Sequence, residues 1–425
     1  MKIKMYELKK AITSPIILSL LGVFIAFNLF IIFNNGYFRH ELKVLNKIVD
    51  KFGYEINDEM VNEFDNYYND ELNKMNEITS KKTSKSYESV LELFKDNEYS
   101  PQGYKGDIYN EEEKKFISEL SIVEVYHQSI KNIDERYSTI DTMDIAESGI
   151  NSARLSGKAA DTLRNEYKKL GYRFEKLKEN GEHKNLFFMG EIYGTHSFLF
   201  KTLFKSIIFE IMILVVLITA YLVNYEFENI THHLAYSSKR GRKIIMDKLF
   251  ASIISSIIVT TMIMGITLLA YFILFDYSGL WNVSISTAFN WEDKLPYISW
   301  WNMSFVQYLL SAIGVVYICE LLFVGIAFVI SKFIKNSYIV FFIFAIIFGG
   351  SILMPGFMPT SSNAIFITGF TPFCLILNPF LWFMGNGIFT VFKYYEIITV
   401  GAWSLLLIIL CTLCIKRFKR ESICE

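Results

Sequence analysis

No GxxxxGK[ST] stretch occurs anywhere in the 425 residues, so the chain has no phosphate-cradling loop of the Walker kind. HExxH and GxSxG are missing as well. His232-His233 lacks the spacing of a zinc protease, and His40, His127, His183 and His196 are scattered over polar sequence. No catalytic constellation remains. Cysteine is scarce: Cys319, Cys374, Cys411, Cys414 and Cys424 all avoid residues 36–198, which excludes a disulfide scaffold there. Cys411 and Cys414 share CxxC spacing, but their apolar surroundings point to packing rather than metal binding. No small-residue cleavage site follows the first apolar run, which is as long as a membrane span and is expected to stay as an anchor. Net charge is nearly absent too, at −1, and no repeat or low-complexity tract is evident.

Long apolar blocks are what the chain has instead. A hydrocarbon core of about 30 Å needs roughly 20 apolar residues per helical span. Six runs qualify, at residues 16–33, 203–223, 249–275, 305–330, 338–353 and 395–415. The fold class expected is an all-α integral membrane protein with six transmembrane helices, a short amphipathic helix before the first, and a mainly α-helical extracellular domain between the first and second.

Orientation follows from Lys and Arg near the span ends. Lys2, Lys4, Lys9 and Lys10 precede the first span. Lys239, Arg240, Arg242, Lys243 and Lys248 lie between spans two and three, Lys332 and Lys335 between four and five, and Lys416, Arg417, Lys419 and Arg420 after the last. All fall on one side, which places both termini in the cytoplasm and residues 36–198 outside. The outer segment is net acidic and the remainder net basic, so the near-neutral total hides a polarised molecule. A surface domain without disulfides, in a chain rich in Lys, Asn, Ile, Phe and Tyr, suggests a Gram-positive bacterial cell membrane.

The expected division is 1–35 for the first helix and span, 36–198 for the outer domain, and 199–425 for five further spans. Met5, Leu8 and Ile12 form an apolar stripe before Pro15, as in a helix lying in the inner interface. In the outer domain Ile56, Met60, Phe64, Tyr67 and Met75 recur at helical spacing, as do Phe116, Leu120, Val123 and Ile130, and Leu155 through Leu177. Gly103, Gly106, Gly149, Gly171 and Gly181 are expected as breaks. Trp281, Trp291, Trp300 and Trp301 crowd the short outer loop at 276–304, as in an interfacial aromatic belt. Residues 354–392 hold Pro355, Pro359, Pro372 and Pro379 between apolar pieces too short to span, the pattern of a re-entrant hairpin.

Glu210 and Glu320 lie inside apolar runs, where an acid is a functional candidate by default, here for a substrate pathway. The alternative for each is a carboxyl that ties helices together. The loop at 224–248 is expected to form a short helix under the membrane that grips a partner: it starts acidic, at Glu226 and Glu228, passes Asn229 and Thr231, and closes on Arg240, Arg242 and Lys248.

With its Glu-x-Glu-Asn-x-Thr entry and Lys-Arg-Gly-Arg-Lys exit, this topology resembles permeases of six-span ATP-binding-cassette (ABC) exporters. The resemblance covers the whole membrane part and departs at Ile230, where relatives often carry Gly. It implies that Glu226, Glu228, Asn229, Thr231, Arg240, Arg242 and Lys248 belong to a coupling helix that docks on an ATPase subunit. It further implies two ATPase copies, which use ATP and Mg, a second permease, identical or homologous, and no cofactor in this chain. Membrane lipid is the expected surrounding and nucleic acid is not a partner. Permeases with a large first outer loop resemble those that export or expel peptides, antimicrobials or lipid-like molecules. A sensor whose outer domain binds a peptide, and a polytopic enzyme acting on lipid-linked substrates, are the rival readings; the first would need an effector domain and the second clustered acids or histidines.

Overall fold

A computed structural model describes residues 2–96, 108–189, 197–237, 241–292 and 295–420. Cys424, His196, Arg240, Lys239, Gly103 and Gly106 lie outside the described residues.

Among the described residues, six helices are long and apolar enough to cross a membrane. They are α2 (Pro15–Asn34), α10 (Phe204–Glu228, entered through a π-helical turn at Phe198–Leu203), α12 (Ile244–Leu274), α13 (Phe305–Phe333), α14 (Ser337–Phe357) and α17 (Tyr395–Arg420). Local signals set their starts. Pro15 opens α2 with its φ already helical; Ser304 and Gln307 form a capping box at α13; the Asn336 side chain accepts from the Ile339 N–H at α14. α10 and α13 form the middle of the bundle and bury most of their apolar windows, while α14 buries the least. α10 packs on α2, α12, α13 and α14, and α13 also carries α17. Pro355 sits in the last turn of α14, where a missing N–H bond is tolerated, so that helix runs to Phe357.

Among the described residues the sequence between α2 and α10 forms a helical lobe of α3 (Arg39–Phe52), α4 (Asp58–Thr83), α5 (Val90–Lys95), α6 (Glu111–Lys131), α7 (Ile133–Ser138), α8 (Thr142–Ser152) and α9 (Gly157–Glu179). Asn57, Ser89 and Asp141 cap α4, α5 and α8, and Asn110 with Glu113 closes a capping box on α6. The α9 stripe is buried as its spacing requires, at Ala159, Leu163, Tyr167, Leu170, Phe174 and Leu177. Gly149 and Gly171 break nothing. Both lie inside helices, and a Cβ on Gly171 would stand 2.8 Å from the Thr142 hydroxyl, so the glycine there admits the start of α8. Gly181, with φ +69°, does end its segment.

Lobe and bundle share one continuous apolar core. The Asn46 amide donates to the Asp276 carbonyl at 2.8 Å, the tilted rings of Tyr126 and Phe289 meet at 5.6 Å, and a Cβ on Gly279 would meet Val49 at 2.8 Å. The four tryptophans of residues 276–304 therefore do not form a loose belt. Trp300 is buried and donates to the Thr390 carbonyl, and Trp291 donates to the Ala288 carbonyl beneath Arg136. The loop holds a two-stranded hairpin, Trp291–Glu292 against Leu295–Pro296.

After α14 the chain turns under the lobe and dips back among the helices. The Ser156 N–H donates to the Thr360 carbonyl; then come α15 (Ala364–Ile367) and α16 (Pro372–Leu375), and Phe373 packs against Phe323, Phe344 and Phe348. The segment then returns. The Gly385 N–H donates to the Ile298 carbonyl, and Tyr167 of the lobe donates to the Asn386 carbonyl at 3.1 Å.

Candidate functional site

Span alternation gathers α1 (Lys2–Ile12), the end of α10, the start of α12 and the end of α17 at the bundle end away from the lobe. A charged cluster lies inside this foot. Lys10 reaches Glu7 at 3.1 Å and Glu226 at 3.3 Å; Lys248 pairs with Glu226 and donates to the Leu222 and Val223 carbonyls at 2.5 and 3.2 Å. Glu7, Glu226 and Lys248 are each at most 5% exposed, so these charges exist only because they are paired. Burial opposes the charge on Lys10, but Glu7 and Glu226 outweigh it and hold its pKa above the usual lysine value. Lys10 also lies 3.7 Å over the Tyr225 ring. α1 thus turns a polar face inward, while Met5 and Tyr6 point out; the Met5, Leu8 and Ile12 stripe does not define its packing.

This corrects the expectation for residues 224–248. The stretch is not one helix. Asn224 to Glu228 continue α10, Lys248 belongs to α12, and among the described residues between them lie α11 (His232–Ser237) and a 3-10 turn at Gly241–Lys243. Glu226 and Lys248 are consumed inside the foot and offer no docking face. Glu228 accepts from the Ser337 N–H at 2.6 Å, placing a carboxylate at the N-terminus of α14. Asn229 folds back onto the Tyr225 carbonyl, and Arg242 donates to the Lys419 carbonyl at 2.9 Å. Thr231 is exposed.

The exposed side of α11 is apolar instead. Its buried side is pinned by Tyr236, whose ring meets Phe418 at 5.1 Å, and by the stack of Phe227 on His232. Leu234 on the outer side is 77% exposed and Ile230, just before the helix, is 79% exposed. The turn is a Schellman motif: the Thr231 N–H donates to the Glu226 carbonyl and the Ile230 N–H to that of Phe227, with Ile230 at φ +57°. A β-branched residue in the left-handed region is strained, which is the physical reason a glycine suits this position. The signal for this surface was present in the sequence as two apolar residues inside a polar loop.

The two intramembrane acids differ. Glu210 accepts from Asn28 of α2 at 2.7 Å, and Asn28 also donates to Thr267 of α12 at 3.3 Å, so one amide ties three helices. Asn28, a polar residue inside the first apolar run, was missed by sequence reasoning. Glu320 is 1% exposed and neither carboxyl oxygen has a hydrogen-bond partner among the described residues. Thr260 approaches it from α12, whose inward face also carries Ser252, Ser255 and Ser256, fully buried and with no hydrogen-bond partner for their hydroxyls among the described residues. No group of three or more His, Cys, Asp or Glu suited to a metal occurs among the described residues.

Six apolar helices among the described residues, standing on a foot of paired charges, define a multi-pass membrane protein. The chain belongs to the ABC-2 transporter family: the family described as ABC-2 family transporter protein matches residues 13–415. It is an ABC transporter permease, and membership implies association with an ABC ATPase subunit. No curated protein and no solved structure matches it.

Proposed function

We propose that the chain is the permease of an exporter that expels a peptide, antimicrobial or lipid-like substrate, with both termini cytoplasmic and the lobe outside. Two permeases and two ATPase subunits form the working unit, and ATP with its Mg is handled by the ATPases. The basic residues Lys243, Lys332, Lys335, Lys416 and Arg417 at the foot support this orientation. One observation carries the coupling role: Ile230 and Leu234 stand exposed on a turn and helix whose other side is rooted in the buried charge cluster. An apolar pair presented this way suits a cleft on the ATPase, and the rooted side passes motion to α1, α10 and α12. Glu228, Thr231, Arg242 and, by its place in the loop, Arg240 would flank that contact.

A cleft of about 590 Å³ between lobe and loops supports a peptide substrate, being lined by Tyr54, Asn57, Asn180, Asn282, Asn302 and Gln307. Side-chain amides there match the donors and acceptors of a peptide main chain. Glu320, unpaired in mid-bundle, is the stronger pathway candidate; Glu210 is engaged in tying helices. The testing experiment is copurification of the ATPase with an Ile230→Asp/Leu234→Asp variant. Loss of the ATPase with an unchanged yield of folded permease is the expected result; full retention rules the docking surface out.

A further inference from the structure

A second cleft, of about 510 Å³, opens where lobe helix α9 overhangs the first turn of α17, at the other end of the bundle from the foot. Arg173 and Lys176 come from α9; Trp300, Lys393, Tyr394 and Ile398 come from the bundle side. Lys169, also on this wall, is matched by Glu166 at 2.5 Å, and Arg173 by both oxygens of Glu182 at 2.9 and 2.5 Å. Lys176 and Lys393 have no acidic partner among the described residues. Lys393 is held 4.7 Å over the Trp301 ring, which fixes its ammonium at the cleft while leaving its donors open. The cleft therefore carries two uncompensated positive charges among aromatic rings at the start of a membrane span.

Below it, α17 presents Ile398, Leu405 and Ile409 on one face at helical spacing, all more than half exposed. Charge above and a bare apolar track below match one molecule: a phosphate on top of acyl chains. We propose that this cleft seats the phosphodiester headgroup of an anionic membrane lipid, with its acyl chains along α17, so that a lipid bridges the lobe and the sixth span. The site stands on this cleft alone and is separate from the transport reading.

The test uses the full chain in detergent, titrated with phosphatidylglycerol, phosphatidylcholine or inorganic phosphate while the thermal unfolding midpoint is followed. Phosphatidylglycerol is expected to raise the midpoint, and Lys176→Glu/Lys393→Glu to raise its half-saturating concentration by roughly 30-fold. Lys81→Glu/Lys158→Glu, at exposed lobe positions away from the cleft, is expected to titrate like the parent. The proposal is overturned if phosphatidylcholine stabilises equally, if inorganic phosphate alone reproduces the shift, or if the cleft variant titrates unchanged.

Discussion

Lys248 of α12 and Glu226 of α10 form a buried ion pair in which the ammonium spends all three donors, on Glu226 and on the carbonyls of Leu222 and Val223. These carbonyls belong to the last turns of α10, where the helix dipole favours a cation. The pair joins the second and third spans at the level where Lys10 brings in the N-terminal helix.

Breaking that pair should be costly. Lys248→Met leaves two buried acids, Glu7 and Glu226, sharing Lys10, and truncating one partner of a buried pair costs about 3–5 kcal/mol. The double variant Lys248→Met/Glu226→Gln should recover most of the loss. Unfolding of the purified chain in detergent measures both; a Lys248→Met protein as stable as the parent would contradict the assignment.

Ile230→Gly tests the turn. Leaving the left-handed region without a Cβ relieves about 1–2 kcal/mol, against about 0.5–1 kcal/mol of extra chain entropy lost by glycine. The variant should therefore unfold at a higher temperature while copurifying less ATPase, because the exposed side chain is gone. Opposite signs in the two measurements are the mark of a strained contact residue.

For Glu320 the absence of a partner among the described residues changes what removal does. The Thr260 hydroxyl beside the carboxyl is the donor at stake, so Glu320→Leu should cost no more than about 1–3 kcal/mol, while Glu320→Gln and Glu320→Leu should both reduce substrate-stimulated ATP hydrolysis. Normal hydrolysis in both variants excludes a pathway role.

The lobe should lose stability in acid. Burial pushes the pKa of His127 and of His183 below the usual imidazole range, so the folded lobe favours their neutral forms. Their contribution is full above the unfolded value of about 6.5 and is lost as pH falls through the depressed folded values. Asp65 and Asp134, held below the usual carboxylate range chiefly by bonds from Lys131 and Lys184, add a further loss at lower pH. The unfolding midpoint should fall between pH 7 and pH 5, and His127→Gln should flatten that fall.

Orientation is read by cysteine labelling. Cysteines replacing Lys85 and Lys158 should react with an impermeant thiol reagent on intact cells, and one replacing Lys243 only after lysis; labelling at Lys243 beforehand reverses the topology.

The spans and the α9 stripe were legible because hydropathy and a 3.6-residue period are local properties. What the sequence hid was where helices stop relative to one another. Nothing local says that α10 runs to Glu228 and so carries Glu226 to the side of Lys248. The same holds for Gly171, which reads as a break until the Thr142 hydroxyl appears beside it. Trp300 reads as an interfacial anchor until its indole is found against the Thr390 carbonyl. Asn28 was visible as a polar residue in an apolar run, and only its partner was not.

The dipping segment has a mechanical meaning. Leu170 of the lobe lies where a Cβ on Gly385 would stand, 2.2 Å away, and a short stretch earlier in the same segment Phe373 is wedged between rings of α13 and α14. One stretch of chain thus touches the lobe at its crest and the bundle interior at its trough, like a cam follower. Any displacement of α9 is therefore felt, through one short piece of chain, at the aromatic rings where α13 and α14 meet.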